Sequence, residues 1–210
     1  MDEQFVDAMW KVARENRDWI AQMGRFGEIV NLDKMEAARR QLKMAVWLWF
    51  KEADIASIHT LTGAAFGILA GLYHHKFKRL PAPFDEQYMH EELRGYMKQL
   101  RNVMRSAEDF LKHSRKDPDK IQPISPLWTA YYIFHAIKTY MELHDGECDQ
   151  VLLSLFIIRF RILCPEVFGD GPTPRFDERW DVERFKNIRS NAEFFAMVGG
   201  RLGEGPPTGN

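Results

Sequence analysis

Cysteine is scarce in this 210-residue chain. Cys148 and Cys164 are the only two, and their spacing forms neither a metal-binding nor a redox motif. Two inert thiols fit a reducing cytosol rather than a disulfide scaffold. Excess charge is lacking as well: 29 Lys and Arg stand against 30 Asp and Glu, a formal net charge of -1. Bulk electrostatics therefore does not mark a nucleic-acid binder. The opening residues, MDEQFVDAMWK, carry early acidic side chains and lack the basic-then-apolar form of a secretion leader. The expected localisation is cytoplasmic. Complete catalytic signatures are also missing, with no HExxH, EF-hand loop, paired ExxH, GxSxG or Walker sequence. GRFGEI at Gly24–Ile29 has two glycines but no full dinucleotide fingerprint. Neither a metal nor a cofactor is expected.

Aromatic residues are abundant. Fifteen Phe and six Trp supply a large core or a subunit interface. Charge is absent from one long run, Ile55–Tyr73, which is long enough to raise a transmembrane reading. Ser57, His59, Thr60 and Thr62 weaken that reading, and a helix apolar all round is a core helix in a soluble domain. No membrane contact is expected. Asp54 is placed to cap this helix, and Ile55, Ile58, Ala65, Leu69 and Leu72 recur at core spacing. Gly63, Gly67 and Gly71 are four apart, with His59 and His75 extending the line. Each helical glycine costs about 1 kcal/mol relative to Ala, so close approach by another helix or a ligand groove should offset it.

The remaining periodicities predict further helices. One covers about Asp2–Met23. A second begins at Asp33, with Glu36 in the capping-box position, and leaves Arg39, Arg40 and Lys43 as solvated charge. Pro81 and Pro83 bar helix after the central run. The next helix is expected over Glu86–Ser114, with Tyr96, Leu100, Val103, Ala107, Phe110 and Leu111 inward. Ser125 and Pro126 start another, with Leu127, Ala130, Tyr131, Phe134, Ile137 and Met141 buried. VLLSLFIIRFRILC reads as helix, because a lone strand would have no partner. A guanidinium from Arg159 or Arg161 near the core would need a carboxylate or phosphate. A last helix is expected over Glu178–Val198. The fold class is thus all-α: a single domain over 1–198, about six or seven helices around a central apolar helix, with a flexible tail over 199–210.

Two polar features carry candidate chemistry. Arg94, Lys98, Arg101, Arg105 and Lys112 fall at helical intervals, and Glu108 and Asp109 interrupt the line. Such a face is a wet helix surface or a phosphate-backbone contact. FLKHSRKDPD gathers Lys112, His113, Arg115, Asp117 and Asp119 around a helix end. There the helix dipole favours imidazolium on His113, and Asp117 or Asp119 is near enough in sequence to orient it. A bland alternative is helix termination with an Asx turn.

Ala38–Leu69 and DFLKHSRKDPD, Asp109–Asp119, together resemble a group of uncharacterised bacterial proteins with an IHTL helix and an FxKH…DPD loop. That resemblance implies an all-α cytosolic protein without an established activity, and points to His59, Thr60, Lys112, His113, Asp117 and Asp119. The chain is also similar, more loosely, to the HEPN superfamily of small helical bundles, many of them dimeric and some of them metal-independent ribonucleases. Their signature sets four to six residues between Arg and His; here seven separate Arg105 from His113. The likeness implies His113 for proton transfer and Arg105 for phosphate charge.

The function expected from these observations is a helical binding or regulatory protein, homodimeric, with an unidentified ligand. A HEPN-like ribonuclease or RNA-binding protein is the alternative, with His113, Arg105, Lys112, Asp117 and Asp119 catalytic. A small-ligand or metal pocket is the third reading. The candidate ligand-binding residues are His59, Thr60, Gly63, Gly67, Arg94 and Arg101.

Overall fold

A computed structural model describes residues 11, 30–81, 95–112, 119–145, 151–165, 185 and 187–198. The chain divides into two compact units, Met1–Asp33 and Lys34–Asn210. The first is described only at Lys11 and at 30–33, so the expected first helix and the tail over 199–210 lie outside the described residues. The second unit is an all-α bundle with six helices among the described residues: α1 Lys34–Phe50, α2 Ile55–Phe77, α3 Met97–Lys112, α4 Pro126–Leu143, α5 Val151–Leu163 and α6 Asn191–Val198. α2 packs on α1, α3 and α4; α5 packs on α1, α4 and α6.

Local chemistry sets several boundaries. Asp54 caps α2, its carboxylate accepting from the Ser57 backbone N–H at 2.8 Å. The helix ends where Lys78 turns left-handed at φ 58° and returns its N–H to the His74 carbonyl. Ser125 caps α4, and Pro126 occupies its first turn. Gly95 and Tyr96 form a turn, so α3 begins at Met97. Tyr96 and Val103, expected inward, are exposed; Ala107 is buried as expected, and Met104 is buried as well. Glu36 lies in the first turn of α1. It pairs with Arg39 and Arg40 along α1, and the Arg39 hydrogen bond chiefly holds its carboxyl down to about 2. Those two arginines are thus paired and half-buried rather than simply solvated.

Enclosure is uneven. α4 buries ten side chains, among them Thr129, Tyr132, His135 and Tyr140, although Leu127, expected inside, is exposed. Among the described residues α2 alone is long and apolar enough to cross a membrane, and 33% of its most apolar window is buried. The enclosure expected for it is therefore partial. Four residues advance a helix by about 400°, so its glycine line drifts by roughly 40° per step. His59 and Gly63 are buried, while Gly67, Gly71 and His75 face outward. Only Gly63 answers the close-approach expectation: a Cβ there would sit 3.1 Å from Glu108 Cγ, whereas Gly67 and Gly71 have nothing within 4 Å.

At the other end of the bundle aromatic rings join α1, α5 and α6. Trp49 meets Phe156 at 4.7 Å between centroids, and Phe50 meets Phe195 at 4.9 Å. Arg159 is fully buried beside them. Its expected carboxylate or phosphate partner is replaced by neutral groups: Nε donates to Asn191 Oδ1 at 3.0 Å and Nη2 to the Ile188 carbonyl at 2.8 Å. Phe194 lies under the guanidinium at 5.2 Å. The Ile188 carbonyl is available because the expected last helix is broken at 187–190. An unbroken helix would engage the Ile188 carbonyl with the backbone N–H four residues on. Ser190 instead restarts α6, its hydroxyl accepting from the Ala192 and Glu193 N–H groups.

Two stability measurements follow. Gly67→Ala and Gly71→Ala should each raise the unfolding free energy in urea by about 1 kcal/mol. Gly63→Ala should give no such gain, because Glu108 must shift; an equal gain at all three positions would contradict the packing. Asn191→Ala should cost about 2 kcal/mol by leaving a buried guanidinium N–H unmet, and urea unfolding within experimental error of wild type would show that this bond is not needed.

Candidate functional site: a cleft between α2, α3 and α4

A cleft of about 130 Å³ opens where three helices and the loop after α2 meet. Phe66 and Ala70 come from α2, Leu80 and Pro81 from the loop, Met104, Arg105 and Glu108 from α3, and Tyr132 and His135 from α4. Its wall is aromatic and aliphatic, with Phe66 5.4 Å from Tyr132 and 4.5 Å from His135 between ring centroids. Among the described residues, Arg105 and Glu108 are the guanidinium and carboxylate that line it.

Glu108 is the most engaged polar group. Its carboxylate accepts from Tyr132 Oη at 2.8 Å and from Lys112 Nζ. Burial, and then the neighbouring Glu108 charge, raise the Tyr132 pKa, so the phenol stays protonated and donates. Arg105 is exposed. It makes no hydrogen bond or ion pair among the described residues, although Glu108 and Asp109 follow at helical spacing.

His59 lies behind this wall. Nε2 faces the Met104 carbonyl at 3.4 Å, and Nδ1 faces Thr129 Oγ1 at 3.0 Å. A carbonyl only accepts, so Nε2 carries the proton and Thr129 donates to Nδ1. Burial lowers the His59 pKa, opposed by the Met104 hydrogen bond and the Glu108 charge. His59 is thus a neutral imidazole tying α2 to α3 and α4.

The sequence candidates scatter around this geometry. Arg105 lines the cleft, Lys112 reaches it through Glu108, and Gly63 lies against the Glu108 side chain. His59 is buried away from the opening. Thr60 is exposed and bonds the Ala56 carbonyl of its own helix, and Gly67 faces open space. Neither joins the cleft. Asp119 is exposed in a turn. His113, Asp117 and Arg94 lie outside the described residues, as does the Arg101 side chain. Glu108, Tyr132, His135 and Phe66 were missed by sequence reasoning. One signal was available: Glu108 sits three residues after Arg105 and four before Lys112, a spacing that places all three on neighbouring helix positions. Among the described residues no three His, Cys, Asp or Glu side chains converge as a metal site. Compared with known proteins, the chain matches no family model, no curated protein and no solved structure.

The His59 environment gives a pH prediction. Its folded pKa lies below the ordinary 6.5, so the unfolded chain takes up the proton first. The stability it contributes is complete above pH 6.5 and is lost as pH falls towards the folded pKa. His59→Gln should therefore flatten the loss of urea stability between pH 7.5 and 5.5; an unchanged slope would remove His59 from the account.

Proposed function

We propose that this is a cytosolic helical protein that binds a small molecule in the cleft between α2, α3 and α4, and that it acts as a binding or regulatory protein rather than through a catalytic triad. One observation carries the reading. A guanidinium unpaired among the described residues and a pinned carboxylate line the same apolar cleft. Few convergent polar groups on an apolar concave wall is the usual composition of a ligand site. The proposal includes a homodimer, for which the small-residue face of α2 at Gly67 and Gly71, open to solvent, offers a contact surface.

The ribonuclease alternative has one supporting observation, the exposed Arg105, and needs His113 beside it. The small-ligand reading draws on nine lining residues from three helices and a loop, and is preferred on that ground.

A thermal-shift panel of metabolite-sized compounds tests the proposal, run on the full chain and on Ala70→Trp, whose indole would fill the cleft. Hits that stabilise wild type and are lost in Ala70→Trp are expected, since a ligand bound only to the folded state raises its stability. No hit, or hits indifferent to Ala70→Trp, would overturn the cleft as a site; RNA cleavage by the same preparation would then favour the alternative.

A further inference from the structure

The cleft carries one cation and one anion, Arg105 and Glu108, on the same helix. Residues three apart on a helix are surface neighbours, with Cβ atoms roughly 5–6 Å apart. The two nevertheless do not pair with each other. Tyr132 and Lys112 hold the Glu108 oxygens from two sides, which leaves the guanidinium of Arg105 uncompensated among the described residues. A carboxylate has about four lone-pair positions. Two are used here, so Glu108 retains capacity for a further donor.

These charges restrict what fits. A simple anion drawn to Arg105 would lie beside the Glu108 carboxylate, itself paired with Lys112, and would leave the remaining lone pairs of Glu108 unmet. A simple cation drawn to Glu108 would meet Arg105. A molecule with both charges a few ångströms apart turns both contacts into attractions. Of the rest of the wall, Phe66, Ala70, Leu80, Pro81 and Met104 offer apolar surface, and Tyr132 and His135 add ring faces with one polar edge each. A cleft of about 130 Å³ holds one ring or a short branched chain, since an apolar cavity of roughly 150 Å³ takes benzene.

Resting on the small-molecule reading of this cleft, we propose that its ligand is a small zwitterion with an apolar side chain, of the free α-amino acid class. Arg105 takes the carboxylate with its planar fork of donors. Glu108 accepts from the ammonium, and the side chain lies against Phe66, Leu80 and Met104. Tyr132 and Lys112 are positioning residues that hold Glu108 in place.

Isothermal titration of the full chain tests the class. The probes are L-leucine and L-phenylalanine, each with its des-amino acid (4-methylpentanoate, 3-phenylpropanoate) and its decarboxylated amine (isoamylamine, phenethylamine). At least one amino acid should bind about tenfold more tightly than both of its singly charged analogues, the loss expected for one charge-assisted hydrogen bond. Arg105→Gln, a change at an exposed side chain, should make amino acid and amine bind alike. Glu108→Gln, which keeps an acceptor for Tyr132, should make amino acid and des-amino acid bind alike. Equal or tighter binding of a singly charged analogue overturns the zwitterion class while leaving the cleft as a site. So does failure of all six probes when the metabolite panel still gives hits blocked by Ala70→Trp. If that panel is also empty, the small-molecule reading itself falls.

Discussion

Burial of polar groups on α4 constrains how three helices meet. Thr129 and Tyr132 are enclosed, and an unpaired buried hydroxyl costs free energy comparable to a lost hydrogen bond. Each finds its partner on a different helix: Thr129 on His59 of α2, Tyr132 on Glu108 of α3. His59 then reaches the Met104 carbonyl of α3. The absence of a side chain at Gly63 lets Glu108 approach α2. These contacts leave an apolar cleft above them, with Arg105 at its edge. The same bonds that position α3 thus shape the candidate site.

A second polar group organises the opposite side of the bundle by different means. Arg159 is buried without a direct ion pair among the described residues, and its charge is met by an amide oxygen, a backbone carbonyl and a ring face. Burial alone lowers its pKa, with Glu52 and Glu193 acting against that at longer range. Glu52 also accepts the Asn191 N–H at 2.8 Å. The helix break before α6 therefore leaves the Ile188 carbonyl available, an acceptor that a continuous helix would have consumed. Helix regularity is exchanged for one of that guanidinium's hydrogen bonds, while its buried Nη1 has no hydrogen-bond partner among the described residues.

Much of the fold was legible from local pattern. Asp54, Ser125 and Pro126 start helices where their side chains predict, and the apolar run 151–163 is helical. The drift of a four-residue repeat was also legible as geometry; which end of it lay inside was not. The errors share a cause. Val103 and Leu127 fit an apolar stripe but are exposed, because a stripe gives periodicity and not the direction of its neighbours. The candidate site was less legible. Arg105 is visible in the sequence as part of a basic line, whereas Glu108 reads there as an interruption of that line.

By itself the sequence determined the all-α class, the cap-defined helix starts and the lack of a complete catalytic motif, since these depend on residues within a turn or two of one another. Only the tertiary structure decided that Glu108 meets Tyr132, that His59 is a neutral bridge behind the wall, and that Gly63 is close-packed while Gly67 is open. Those relations join residues 24 to 70 positions apart, and they depend on the rotation of each helix about its axis, which side-chain packing fixes and local propensity does not.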